Sequence, residues 1–282
     1  MTLGSYLRLL PHPFSSLPAH PSLDSSSSSS SSSSSFASRP PLRSFLLALL
    51  TEAQNLLASI PSTFHPNRKP RRASPSTAKV QLSTCSIPHP NSPSTPDYWV
   101  CRQSVHEDAP VAGSASWKEF RSGLREHHSE HEKEYTPSVT AVERLLEWPS
   151  ETDIGVNLIT HTFHPTALIA PRSFIVLVVS ADRDRDDGFV TIQIPLAADS
   201  SPESIRQKIT TSAPRNAIFA SYASVEEVVA ASEGLQWTMA TTSDAGGAIP
   251  QWVQRSWTMG GVPRAVVADV GLFLGWTARR RA

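Results

Sequence analysis

The sequence predicts an α+β fold in which a curved antiparallel sheet of about seven strands wraps one long C-terminal helix. Three observations predict it. After residue 97 the pattern runs strand, helix and then six strand-like segments. The links between those segments are mostly short and turn-like, as hairpins require. A long apolar helix comes last, and an antiparallel sheet of this size needs a cover for one face.

Residues 1–38 hold short apolar fragments broken by prolines, then an unbroken serine run from Ser25 to Ser35. Serine buries no apolar surface, so disorder is expected across 1–38. Residues 39–60 read as an amphipathic helix. Leu46, Leu49, Leu50, Ala53, Leu56 and Leu57 recur at helical spacing, and Pro61 stops them. Residues 61–96 carry eight prolines and five Lys/Arg with no acid, which reads as a basic Pro-rich loop. Its knot, Asn67–Ser74, suits a solvated loop, a nuclear address, an anionic-lipid contact or a kinase site at Ser74. Lys79–Ile87 could add an edge strand.

The globular domain is expected over 97–282. In "DYWVCRQSVHED" Trp99, Cys101 and Val105 alternate with Tyr98, Arg102 and Ser104. Ser116 and Glu119 form a capping box, and Trp117, Phe120 and Leu124 continue as one helix face. The six following strands are Val139–Trp148, Ile154–Phe163, Ser173–Ala181, Gly188–Leu196, Ala217–Val229 and Leu235–Ser243. "SPESIRQKI" supplies a short helix between the fourth and fifth. At the C-terminus "IPQWVQRSW" places Ile249, Trp252, Val253 and Trp257 on one helical face. After "TMGG", Pro263 restarts a helix whose stripe is Val266, Val267, Val270, Phe273 and Leu274. Gly246, Gly247, Gly260 and Gly261 flank the first of these helices and read as hinges of a lid.

Composition excludes several classes. Lys+Arg and Asp+Glu are both 25, which argues against a nucleic-acid partner. The apolar runs Phe45–Leu50 and Phe174–Val179 are too short for a transmembrane segment. Cys85 and Cys101 lack metal or redox spacing and read as reduced thiols of a cytoplasmic protein. No cofactor or metal motif is present. His127 and His131 stand at i, i+4 without a third ligand. Gly113–Trp117 fails the nucleophile-elbow pattern because Ala115 occupies the serine place. Asp182–Gly188 interleaves its carboxylates with arginines, unlike a calcium loop. Gly271 and Gly275 read as a close approach of helix to sheet.

"GGAIPQWV" and the element order resemble the START domain, the helix-grip fold of steroidogenic-acute-regulatory-related lipid-transfer proteins. The resemblance rests on Gly247, Ile249 and Pro250 opening a lid helix, with Trp252 and Val253 following. "SVHEDAP", "SWKEFRSGLREHHSEHEKEYTP", "QWTMATTSDAGG" and "DVGLFLGW" are similar to an uncharacterised group of fungal START-like proteins, a domain of unknown function, over roughly residues 40–282. The segment 153–171 is short for two strands and a loop. The resemblance implies a hydrophobic pocket for a sterol, phospholipid or fatty-acyl molecule.

The expected function is therefore non-enzymatic binding, and transfer, of a hydrophobic ligand between sheet and lid, with transient membrane-surface contact. Trp237 and Met239 on the last strand, and Trp252, Val253, Val266, Val270 and Phe273 on the lid, are the expected lining. Arg102 would meet a polar head group if its face points inward. The rival is a polyketide cyclase or aromatase-like enzyme, using His106, His161, Glu143 and Arg102. Titratable groups facing the cavity would favour that rival, and an apolar lining would favour carriage. A third reading is a scaffold acting through its basic Pro-rich loop.

Overall fold

Strict alternation of side chains builds a sheet with two unlike faces. The computed structural model describes residues 4–24, 39–89, 92–149, 152–165, 169–183 and 187–282. Helix α1 (Pro21–Asp24) and helix α2 (Leu42–Thr63) precede strands β1 (His65–Pro66), β2 (Arg71–Arg72), β3 (Lys79–His89) and β4 (Ser92–His106). Helices α3 (Trp117–Phe120) and α4 (His128–Tyr135) follow, then β5 (Val139–Trp148), β6 (Asp153–His161), β7 (Arg172–Asp182) and β8 (Gly188–Pro195). Helix α5 (Glu203–Ser212) leads to β9 (Ile218–Phe219), β10 (Ser221–Ala231) and β11 (Gly234–Asp244). Helices α6 (Gln251–Gln254) and α7 (Val262–Arg281) end the chain.

The open, curved sheet runs β1-β3-β4-β11-β10-β8-β7-β6-β5, with β2 on β3 and β9 on β7. All pairs are antiparallel except the short β7–β9 pair. Five of the six expected strands appear within two residues of their predicted ends, and the other, Ala217–Val229, is split into β9 and β10. The segment 153–171 holds one strand and a link. β6 pairs with β7 over nine consecutive partners, so the middle of the sheet is regular.

The expected seven strands become eleven: the split strand adds one, and residues 61–96 add three, β3 among them at the possible strand Lys79–Ile87. Val80 and Leu82 alternate into the core, and β3 lies along β4 from Gln81↔Gln103 to Ile87↔Asp97.

One face of the sheet is almost wholly apolar. Trp99, Cys101, Val156, Leu177, Ile192 and Val225 pack there against Leu49, Ala53 and Leu56 of α2. The predicted stripe of α2 is thus buried, and the helix runs two residues past Pro61. Glu52 on that stripe is buried because its carboxylate accepts the backbone N–H groups of Tyr6 (3.0 Å) and Leu7 (2.7 Å).

This contact corrects the expectation of disorder for 1–38. Within the described residues 4–24, Leu7, Phe14, Leu17 and Leu23 belong to the same core. His12 bridges to the C-terminal end of β8 through His12 N–H to Pro195 O (2.8 Å) and Ala197 N–H to His12 O (2.9 Å). The sparse apolar residues find a ready-made surface on α2 and β8. The serine run lies outside the described residues.

The other face lies under α7, where Val266, Val270, Phe273 and Leu274 are buried. The single helix expected after Ser116 is broken. Glu119 accepts the Ser116 N–H (2.8 Å) and hydroxyl (2.9 Å). A π turn at Arg121–Arg125 then separates α3 from α4, with His127 at φ 47°. Gly123 sits in that turn, where a side-chain carbon would stand 2.6 Å from Phe273 and 2.7 Å from Trp276. The break lets the chain approach α7 closely.

Candidate polar site beneath the C-terminal helix

The face under α7 carries polar residues in register across the middle of the sheet. Arg102 on β4 pairs with Met239 on β11, Met239 with Glu226 on β10, and Glu226 with Thr191 on β8. Antiparallel partners point to the same side, so one row brings Arg102, Met239, Glu226 and Thr191 together. The next row adds Ser224 and Gln193. From above, α4 contributes His128, Glu132 and Tyr135, and α7 contributes Asp269. These groups, with Tyr222 and Trp237, enclose a cavity of about 60 Å³.

Arg102 anchors the site. It is 1 % exposed and its Nη2 donates to Glu226 Oε1 at 2.8 Å. The same oxygen accepts from Trp237 Nε1 at 2.8 Å, and the guanidinium lies 3.9 Å from the Trp237 ring centroid. Arg102 Nε and Nη1 and Glu132 Oε2 are buried without a hydrogen-bond partner in the protein. A buried guanidinium normally satisfies its donors, so these atoms can hydrogen-bond to a polar group placed in the cavity.

The site is rich in acid. Burial pushes the Glu132 carboxyl above its usual range, against the nearby His128 and with help from Glu226. Asp269 is pushed up to about 7, first by burial and then by Glu132 and Glu226, with Arg102 opposing. Part of the Asp269 residue surface remains accessible, but its carboxyl is crowded by these charges. Burial also raises the Tyr135 and Tyr222 phenols well above their ordinary value. His128 Nδ1 and Thr191 Oγ1 both reach the Leu124 carbonyl (2.7 and 3.2 Å), which the π turn frees from the helix ladder.

A larger groove of about 690 Å³ opens at the α6 end. Leu9, Leu10, Tyr98, Val100, Phe219 and Val262 give it apolar walls. Val100 and Arg102 are two apart on the same face of β4, so the groove floor ends about 7 Å from the polar cluster.

The expected lining residues separate into groups. Arg102, Trp237 and Met239 border the small cavity. Val266, Val270 and Phe273 lie in the solid core under α7, where Phe273 packs on Trp237 (5.3 Å), Phe120 (5.1 Å) and Tyr135 (5.7 Å).

The proposed apolar face of the first lid helix is corrected. Trp252 is 66 % exposed, Val253 is half-buried, and Gln254 is the buried member. The Gln254 amide accepts the Ala245 N–H (2.8 Å) and donates to the Ile249 carbonyl (3.0 Å) and Asp244 carboxylate (3.2 Å). Closing that loop turns the helix so that Trp252 faces solvent.

Gly246, Gly247 and Gly260 have φ of 63°, 64° and 79°. Gly261 has ordinary φ, but a side chain there would collide with the Gln254 carbonyl.

Directly beneath α7 the cavity is small and polar, and the larger space with apolar walls lies at the α6 end. The rival enzyme set is not assembled. Glu143 is exposed, His106 packs on Phe120 and Trp237, and His161 lies against Phe163 and Phe174. Burial lowers both histidines to about 4, with Arg102 adding to the shift at His106. His131 rests on Trp276 rather than joining His127 in a ligand set.

Sequence reading missed Glu132, Glu226 and Asp269. Asp269 is three residues after Val266 and four before Phe273, so helical spacing puts it on the buried stripe. Glu226 and Glu227 are adjacent in a strand, so one had to face inward. Glu132 is hidden among charged neighbours and carries no such signal.

This architecture, a curved antiparallel sheet holding a C-terminal helix over a buried polar cluster, is the helix-grip fold. Residues 99–277 match the family described as "Protein of unknown function (DUF3074)", and the chain belongs to that family. No curated protein matches its sequence. Among solved structures, human STARD10 is similar with a TM-score of 0.57 at 10 % identity, covering 82 % of each chain. Human StAR-related lipid transfer protein 5 is similar with a TM-score of 0.57 at 13 % identity, covering 85 % of this chain and 99 % of that one. At such identities the likeness establishes the START-like fold.

Proposed function

We propose that this protein is a non-enzymatic carrier of one amphipathic molecule, holding its apolar body in the groove at the α6 end and its polar end against Arg102. The observation that carries this is the set of unpartnered buried atoms on Arg102 and Glu132, one pleat from a groove of mixed lining whose walls include Leu9, Leu10, Val100 and Phe219. The name of human StAR-related lipid transfer protein 5 agrees with a lipid as the cargo. A cavity of 60 Å³ is far below the roughly 300–1,000 Å³ of small-molecule pockets. Loading then requires α6 and the start of α7 to move, with the glycines at 246, 247, 260 and 261 as hinges. Trp252 and Leu10, 66 % and 56 % exposed, stand ready for transient contact with a membrane surface in the cytoplasm.

Uptake of a fluorescent long-chain amine, alcohol and phosphate by the full chain tests the reading. Saturable binding that falls at least tenfold in Arg102→Met supports it. Failure of all three probes to bind rejects it.

Acid–base catalysis on the same scaffold is a second reading, favoured by one observation: the cavity lining is titratable, with Asp269 poised near neutrality. A probe released chemically altered selects that reading over carriage.

A further inference from the structure

Residues 71–75, from the basic knot, form a strap across the outer side of α7. The Arg71 guanidinium lies 4.2 Å from the Trp257 ring centroid, on the α6–α7 link. A side-chain carbon at Gly271 would collide with the Ser74 carbonyl oxygen. One at Gly275 would stand 3.7 Å from the Pro75 ring and 3.5 Å from Arg279 Nη1. The Gly271–Gly275 pair, expected to let helix approach sheet, instead makes the trough that holds this strap. On the far side the strap is tied down by Thr77 N–H to Gly113 O at 3.1 Å.

Between strap and helix runs a groove of about 470 Å³ lined by Arg72, Ser74, Arg264 and Arg279 among others, with no carboxylate in its lining. Among the described residues none of these three arginines pairs with an acid. Gly271 lies seven residues after Arg264 and eight before Arg279, so both side chains can lean toward Ser74 from opposite sides. Ser74 is exposed, and β2 just before it is an edge strand paired only with β3. Arg71 and Arg72 stand three and two residues before it. An accessible hydroxyl behind two arginines suits the acidic substrate groove of an arginine-directed protein kinase.

We propose that Ser74 is a phosphorylation site whose phosphate clamps the C-terminal helix to the strap. In the transfer, Ser74 Oγ bonds to the γ-phosphorus of a nucleoside triphosphate held by the kinase. The bond from that phosphorus to the β–γ bridging oxygen breaks and the nucleoside diphosphate leaves. The hydroxyl proton passes to the kinase base. The product adds a charge of about −2 and three acceptor oxygens beside Arg72, Arg264 and Arg279. The clamp would hold the loaded and empty states closed alike. Only its effect on ligand exchange rests on the carrier reading.

The full chain is incubated with ATP and an arginine-directed Ser/Thr kinase, with a free peptide of residues 67–78 as control. Mass spectrometry locates the modification, and hydrogen exchange follows the amides of 262–281. The proposal expects Ser74 to be modified and α7 exchange to slow about tenfold, as one new charge-assisted hydrogen bond would produce. Ser74→Ala should abolish the slowing. Arg264→Ala with Arg279→Ala should keep the modification and lose the slowing. A kinase that modifies the peptide but not Ser74 in the protein overturns the site. Modification with α7 exchange unchanged or faster overturns the clamp. If α7 slows while no amphipathic probe binds, the clamp stands and the carrier reading falls.

Discussion

Replacing Asp269 with asparagine should stabilise the protein at neutral and higher pH, and the gain should vanish in acid. The unfolded chain ionises Asp269 near 3.8, whereas burial beside Glu132 and Glu226 delays ionisation in the fold until about 7. Between those values the unfolded state holds fewer protons than the native state, so stability falls as pH rises from about 4 to about 7. Three units correspond to about 4 kcal/mol, and the partly accessible surface of the residue screens this to about 2–3 kcal/mol. The asparagine side chain keeps the shape and ionises in neither state. Urea unfolding of Asp269→Asn and the natural protein at about pH 4.5 and about pH 8 gives the offset between them. About 1 kcal/mol of this is already present at about pH 4.5, so the offset should grow by about 1–2 kcal/mol at the higher pH. An offset constant to within about 0.5 kcal/mol would refute the buried, acid-crowded site.

Three further outcomes follow from the same geometry. Arg102→Met strands Glu226 in a buried site and should cost about 3–5 kcal/mol in urea unfolding, while adding Glu226→Gln should recover more than half; additive losses would contradict the pairing. Phe14→Ala should cost about 3–5 kcal/mol, because Phe14 is fully buried against the α2 core; an unchanged midpoint would return the N-terminal segment to disorder. Cys101, its thiol pushed up to about 12 by burial, should resist alkylation under native conditions while half-buried Cys85 reacts first, as peptide mapping would show; equal rates would contradict the burial of β4.

Much of the fold was legible because period-2 and helical patterns report burial directly. The stripe on α2, the strands from Val139 onward and the buried run Val266–Leu274 are all written as regular spacing. The N-terminal segment was not legible. Leu7, Phe14, Leu17 and Leu23 have no period of their own, and they are ordered by partners as distant as Glu52 and Pro195. β3 was legible as the possible strand Lys79–Ile87, but it is flanked by β1 and β4 rather than lying at an edge, because its alternating Val80 and Leu82 reach the core.

The site was legible only in part. Alternation put Arg102 opposite Trp99, and the register with Met239 and Glu226 then decided that this face lies under α7. The orientation of Trp252 turned on the Gln254 amide closing a loop, an interaction with no signature in hydrophobic spacing. The sheet also reversed the expected division of labour. Its greasy face is the solid core against α2, and the face beneath the C-terminal helix is polar at its centre.

The most direct test is native mass spectrometry of the full chain purified without detergent, followed by solvent extraction. The account predicts one amphipathic molecule per chain, retained by the natural protein and lost from Arg102→Met while that variant stays folded. A protein that emerges empty, and equally unoccupied after exposure to mixed lipids, would contradict the claim that the orphaned atoms of Arg102 and Glu132 await a ligand's polar end.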